Sequence, residues 1–202
     1  MKILFLDTSS FFVTISIIDN NNIVFNYQEE IRDDMSSKIM PIISGAFNKI
    51  NFGIKDINKI IVVNGPGSFT GVRIGVTIAK TLAYTLNIPI STVSSLEYLA
   101  TTSVSSKYVI PMIDARRGYV FGGVYDNDLN SVYRDSYILF NDLSSYFNEG
   151  TIVTFSNYEN SVNPSLDVLK IVNKHINDKP LNPHSVNPNY LKKTEAEEKL
   201  GA

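Results

Sequence analysis

The sequence predicts an α/β fold of mixed sheets flanked by helices. Three observations carry this. The first 27 residues read as a buried strand followed by an antiparallel hairpin. From about residue 36 the apolar spacing turns helical, and helices then alternate with short, very apolar strands. A strand that ends in aspartate and runs into a hairpin occurs twice, at Asp7 and at Asp114. This echo fits an internal repeat with a boundary near residues 102–107; α/β chains also produce echoes by chance, and pattern alone does not separate the two readings.

Ile3-Leu4-Phe5-Leu6 is a buried strand closed by Asp7. Phe12 to Ile18 alternates and is rich in β-branched residues, Asp19-Asn20-Asn21-Asn22 is a turn, and Ile23 to Tyr27 returns antiparallel. Ile39, Ile42, Ile43, Ala46, Phe47 and Ile50 recur at helical spacing, which predicts an amphipathic helix over 36–50 whose regular part starts near Pro41. Lys59 to Asn64 carries Ile60-Ile61-Val62-Val63, a strand buried on both faces. A second helix spans 72–86 and stops before Pro89. Ile90 to Val93 is a strand, and Ser94 opens a third helix.

In the second half, Tyr108 to Ile113 is a buried strand, and Tyr119 to Tyr125 and Ser131 to Leu139 flank the Asp126-Asn127-Asp128 turn. A short helix at 141–147, a strand at 151–155 and a helix near 165–176 follow. From Pro180 the chain is rich in Pro and Asn and reads as extended, and Thr194 to Leu200 is a charged segment of helical composition. The expected division is a subdomain over 1–104, a smaller one over 105–185, and a tail, 186–202, packing back on the first.

Composition excludes several chemistries. With 44% hydrophobic and 19% charged residues the chain is ordinary for a globular protein. It has no cysteine, which removes disulfides, thiolate nucleophiles and cysteine-held metals. Its two histidines, His175 and His184, are nine positions apart rather than one helical turn apart, so no histidine metal pair and no metal site are expected. A formal net charge of −2 does not favour a broad electrostatic grip on nucleic acid. The apolar run before Asp7 is too short for a signal or a membrane span, so the cytoplasm is the expected location. A Ser-His-Asp triad would need one of two histidines in polar surroundings, and no acid–base carboxylate pair stands out, so no catalytic residue is expected.

The most unusual segment is Gly65-Pro66-Gly67-Ser68-Phe69-Thr70-Gly71, between a buried strand and a helix. Its glycines imply either a phosphate cradle at a helix N-terminus or a tight turn that lets the helix pack close to the sheet. It lacks the spacing and the Lys-Ser/Thr pair of a P-loop, which favours the tight turn. Asp7-Thr8-Ser9-Ser10 closes the first strand at the carboxyl edge of its sheet, where α/β ligands bind, and its side chains equally satisfy a turn. Asp114-Ala115-Arg116-Arg117-Gly118 holds the corresponding place in the second half. The helix at 72–86 has a broad apolar arc, and its remaining face, Arg73, Thr77, Lys80, Thr81, Tyr84 and Thr85, is only lightly charged. Such a face suits burial against a partner. Met40 and Phe47 border the stripe of the helix at 36–50, beside Ile43.

Together these motifs resemble the bacterial TsaB (YeaZ) family. The resemblance rests on Asp7-Thr8-Ser9, on the eleven residues from Gly65 to Gly75, on Asp114-Ala-Arg-Arg-Gly118, and on Pro188-Asn-Tyr-Leu-Lys192. It implies two actin-like subdomains of the sugar kinase/chaperone/actin superfamily. It also implies a non-catalytic role beside the paralogue TsaD in forming N6-threonylcarbamoyladenosine at adenosine 37 of ANN-decoding tRNAs. TsaD would be bound through a helical interface drawn from Met40, Ile43, Phe47, Arg73, Thr77, Lys80, Thr81 and Tyr84. The ATPase TsaE would join through the complex, tRNA would be met only indirectly, and a homodimer would form where TsaD is absent. No cofactor is expected beyond a weak nucleotide site at the interface, for which Asp7, Ser9, Gly67, Ser68 and Arg116 are the degenerate phosphate-loop candidates. ATP-using members of the superfamily carry Asp-x-Gly in the first hairpin, whereas Asp7 is followed by Thr, Ser and Ser, and the strand from Thr151 to Asn157 has no glycine. Two positions depart from the family pattern: Met35 stands where many relatives have His, and Lys192 stands where Arg is usual. A free-standing ATPase or small-molecule kinase of the same fold is the rival reading, and a metallopeptidase a more distant one.

Overall fold

The computed structural model describes residues 1–192, so the charged segment from Thr194 to Leu200 lies outside the described residues. The elements run, in order, β1 (Lys2–Asp7), β2 (Phe12–Asp19), β3 (Asn22–Glu30), α1 (Met35–Phe47), β4 (Lys59–Val63), α2 (Phe69–Leu86), β5 (Ile90–Val93) and α3 (Ser95–Leu99). The second half adds β6 (Tyr108–Asp114), β7 (Tyr119–Asp126), β8 (Ser131–Leu139), a 3-10 turn over Phe140–Tyr146, β9 (Gly150–Val153), β10 (Ser161–Val162), α4 (Val168–His175) and a 3-10 turn over Pro183–Ser185.

The strands form two five-stranded sheets, ordered β3-β2-β1-β4-β5 and β10-β9-β6-β7-β8. Read from β1 and from β6, the two orders are the same. Each has a central strand, an antiparallel hairpin on one side and two parallel strands on the other. The repeat suggested by Asp7 and Asp114 is therefore present in the topology, and so are the mixed sheets. Even the strand ends match: Asp7 Oδ1 accepts from the Ser9 N–H at 2.7 Å, and Asp114 Oδ1 accepts from the Arg116 N–H at 3.1 Å.

The described residues divide into one unit over Met1–Tyr98 and Asp167–Pro188 and a second over Leu99–Leu166 with Asn189 to Lys192. This corrects the expected boundaries. Residues 167–185 belong with the first unit, where Lys59 of β4 holds the carbonyls at the end of α4, and the tail divides after Pro188. Val186 packs in the first unit's core, whereas Lys192 sits over the Tyr137 ring of the second unit, 5.1 Å from its centroid.

In the first unit, Leu4, Leu6, Ile15, Ile17, Ile60 and Val62 present one sheet face to Ile39, Ile43 and Ala46 of α1 and to Val72, Val76, Ala79 and Ala83 of α2. In the second unit Ile110, Met112, Val120, Val124, Leu143 and Ile152 form a smaller core, edged by Phe140, Phe147 and Tyr158.

Two helix boundaries differ from expectation. α1 starts at Met35, six residues before Pro41. Pro41 has no N–H to give the Ser37 carbonyl, and both residues are exposed, so that carbonyl is open to solvent and the helix tolerates the proline. α2 starts at Phe69 rather than near 72, because the Ser68 side chain accepts from the Gly71 N–H and caps it. No helix among the described residues is long and apolar enough to cross a membrane.

Candidate functional site

Four of the five phosphate-loop candidates meet in the first unit. Asp7 ends β1 only 4% exposed, and the Ser9 and Thr8 that follow it are buried. Burial raises the Asp7 carboxyl from its usual 3.8 to about 6, against the opposing pull of the Ser9 hydrogen bonds. Against this turn lies the glycine-rich loop. The Ser68 N–H donates to the Ser9 carbonyl at 2.7 Å, and the Thr8 hydroxyl donates to the Gly71 carbonyl at 2.7 Å.

The glycines are explained by this contact. A Cβ on Gly67 would stand 2.3 Å from the Ser9 carbonyl oxygen, one on Gly71 2.1 Å from the Thr8 carbonyl oxygen, and one on Gly75 2.5 Å from the Thr8 hydroxyl. Three glycines, spaced over the loop and the first two turns of α2, bring the helix directly onto the β1–β2 turn. The space above the glycines is thus occupied by the Thr8–Ser9 turn, by its carbonyls at Gly67 and Gly71 and by the Thr8 hydroxyl at Gly75. The tight-turn reading of the sequence is the one this geometry matches.

Arg116 is placed elsewhere. It lies in the second unit, exposed on the β6–β7 turn with Arg117. Arg116, Arg117 and Gly118 all have positive φ, at 67°, 54° and 77°, so the two arginine side chains sit on a left-handed turn whose backbone is tied to Asp114.

The helix-face candidates fall into three groups. Met40, Arg73 and Thr77 are exposed and, with Ser36, Phe69 and Ile78, line an open groove of about 470 Å³ between α1 and α2. At its mouth the Arg73 guanidinium stacks 3.6 Å from the centroid of the half-exposed Phe69 ring. Ile43 is 1% exposed and belongs to the core, so its place in the expected interface is a correction: one step round the helix from Met40 turns the side chain to the sheet. Phe47 is half-buried against the same core. Lys80 is the second correction. Its ammonium donates to the Val186 carbonyl at 2.9 Å and reaches the His184 carbonyl at 3.5 Å, so it ties the returning chain to α2 instead of facing outward. Tyr84 is exposed but sets its ring edge-to-face on His184, 4.8 Å between centroids, while Thr81 is exposed between the two groups.

One polar cluster went unread in the sequence. His175 lies with Nδ1 2.6 Å from Asp178 Oδ2 and Nε2 3.0 Å from Glu97 Oε2, the latter a close contact away from the ring's N–H axis. Lys174 Nζ is 2.8 Å from Glu97 Oε1. The ammonium of Lys59, a residue 2% exposed at the start of β4, donates to the carbonyls of His175, Ile176 and Asp178. The two carboxylates approach opposite ring nitrogens and do not converge on one point. Among the described residues no group of three or more His, Asp and Glu is placed to hold a metal ion. The sequence signal was a lone lysine opening an otherwise apolar strand.

Comparison with known proteins adds a family. The family model described as "TsaD: tRNA N6-adenosine threonylcarbamoyltransferase" matches residues 22–172. The chain is 44% identical over 126 residues to a Bacillus subtilis protein named tRNA threonylcarbamoyladenosine biosynthesis protein TsaB, covering 62% of this chain and 55% of that protein. It is 30% identical over 136 residues to the Escherichia coli protein of the same name, covering 66% and 58%. The matches thus span little more than half the length of these curated relatives. Among solved structures, YeaZ from Pseudomonas aeruginosa superposes with a TM-score of 0.76 at 20% identity, covering 94% of this chain and 99% of that one, a likeness of fold.

Proposed function

We propose a function from one premise: the chain belongs to the TsaB (YeaZ) family of TsaD-like proteins. On this reading it serves threonylcarbamoyladenosine formation on tRNA as a partner subunit that binds and supports TsaD and does no chemistry itself. TsaE joins through that complex, and tRNA is met indirectly. Where TsaD is absent, a second copy covers the same face.

The observation that carries the non-catalytic part is the contact between the glycine loop and the β1–β2 turn. Gly67 and Gly71 approach the Ser9 and Thr8 carbonyl oxygens so closely that no side chain fits between them, and the Thr8 hydroxyl and Ser68 N–H are both engaged within the protein. Groups that could have held a phosphate hold the fold instead. The partner part is supported by the groove between α1 and α2, where Met40 and Phe69 are 45% and 50% exposed and Arg73 is the single charged residue of the lining. Exposed apolar side chains gathered in one groove suit a protein interface.

Co-purification with TsaD from the same organism tests the partner reading, and the absence of a complex at micromolar concentration overturns it. Calorimetric titration of the isolated chain with Mg-ATP tests the other half: tight binding would restore the free-standing ATPase.

A further inference from the structure

The segment from 167 to 188 returns to the first unit after the chain has built the second one. We propose that Glu97, His175 and Asp178, with Lys59 beneath them, form a proton-dependent clasp that fastens this returning segment to the first unit and loosens as pH rises.

Lys59 has three ammonium protons, and three carbonyls receive them: His175 at 2.8 Å, Ile176 at 2.9 Å and Asp178 at 3.2 Å. These are carbonyls at and just past the end of α4, where a cation also meets the negative end of the helix dipole. Lys59 thus anchors the backbone and leaves the side chains to a second layer. In that layer the imidazole faces two carboxylates, Asp178 on Nδ1 and Glu97 on Nε2. A neutral imidazole has one N–H, which the 2.6 Å contact to Asp178 takes, whereas the imidazolium also carries the positive charge that draws Glu97 across its off-axis 3.0 Å contact. When the proton leaves, the shorter contact to Asp178 keeps the remaining N–H. The Nε2 lone pair is then left 3.0 Å from Glu97 Oε2. Glu97 retains Lys174 in the same last turn of α4, so of the two side-chain ties between α3 and the end of α4 one fails and the other stays.

The charged groups facing His175 are Glu97 from α3 and Asp178 from its own segment, with Lys174 acting through Glu97 and Lys59 on the backbone from β4. Burial works against the charged ring, but the two carboxylates outweigh it and hold the proton above the usual 6.5. The clasp therefore contributes fully below about pH 6.5 and fades as pH rises through the higher folded value. On the acid side, burial pushes the Glu97 carboxyl up, but His175 and Lys174 outweigh it and hold the group below its usual 4.5. The clasp thus survives until pH falls through that lower value. Past the clasp, the chain is next held at Leu181, whose N–H donates to the Ile90 carbonyl at 2.8 Å, and then at Val186.

The test is an NMR titration of the whole chain with chymotryptic cleavage after Leu181 followed in parallel. With only two histidines present, His184→Gln leaves the His175 resonance alone. His175 should titrate above 6.5, and the substrate-corrected cleavage rate should rise across the same pH range, with its midpoint at the His175 midpoint. Glu97→Gln and Asp178→Asn should each lower the His175 midpoint, and His175→Gln should make cleavage independent of that step. Titration at or below 6.5, an unmoved midpoint in both carboxylate variants, or cleavage that ignores the titration overturns the proposal. Should His175→Gln fail to fold, the two carboxylate variants decide the matter by their midpoints.

Discussion

Asp7 is buried with its charge opposed, and replacing it measures that opposition. A rise from 3.8 to about 6 corresponds to about 3 kcal/mol at ~1.36 kcal/mol per pKa unit, lost from folding stability when the group ionises. The sign follows from the raised value. Below pH 3.8 the carboxyl is protonated in both folded and unfolded chains and costs nothing; between 3.8 and about 6 the unfolded chain sheds its proton first, and stability falls; above about 6 the full cost stands. Asp7→Asn removes the titration and keeps an oxygen to accept from the Ser9 N–H, the contact that sets the turn. Urea unfolding of both proteins from about pH 4 to about pH 8 isolates the effect, because every other titrating group cancels in the difference. The variant should gain about 2.5 kcal/mol on the native chain between the two ends of that range, since about 0.5 kcal/mol of the cost is already present at about pH 4, just above 3.8. A difference that stays flat to within ~0.5 kcal/mol, or one in which the variant loses ground as pH rises, would refute the claim that burial rules this carboxylate.

Three further outcomes follow from single contacts. Gly71→Ala places a methyl 2.1 Å from the Thr8 carbonyl oxygen and should cost ~3 kcal/mol in urea unfolding, whereas Gly45→Ala, inside α1 with nothing within 4 Å, should stabilise by ~0.5–1 kcal/mol. Lys59→Met keeps the buried stem but leaves three carbonyls without their donor, so a loss of ~2–3 kcal/mol is expected, with hydrogen exchange fastest at the end of α4. Thr77→Glu, exposed in the α1–α2 groove, should weaken a TsaD complex at least about tenfold in pull-down or calorimetry with unfolding unchanged, and an unchanged affinity would move the interface elsewhere. Tyr84→Asp is the less clean variant, since it also breaks the ring contact with His184.

What the sequence exposed and what it hid divide along sequence distance. The strands, the two hairpins and the aspartates at Asp7 and Asp114 are local patterns, and each survives as an element and even as the same backbone-to-carboxylate turn. The glycines were legible in kind, since Gly67, Gly71 and Gly75 demanded close approach. What they approach is Thr8 and Ser9, and Thr8 stands 63 positions from Gly71. The start of α2 was misplaced for a related reason. Gly71 reads as loop by propensity, yet a helix can hold a glycine where a side chain would collide with its neighbour. The side of a helix was legible only to about one residue: the same stripe that places Met40 at the groove places Ile43 in the core.

The returning segment was the hardest part to read. Pro180, Pro183 and the many asparagines resemble a solvated tail, and no local pattern tells a tail from a strap. The difference lies in a few long-range contacts: Lys59 to the end of α4, Leu181 to Ile90, Lys80 to Val186 and Asn64 to Asn187. The lysine and asparagine contacts join residues 116, 106 and 123 positions apart. Periodicity compares residues within windows of about 11–18, so partners at such separations leave no trace in it. The two lysines show the consequence. Each reads in sequence as an ordinary surface cation, yet both donate to backbone carbonyls of the strap, Lys59 at the end of α4 and Lys80 at Val186. Their partners are main-chain oxygens, which every residue carries, so even the partner positions bear no side-chain signature.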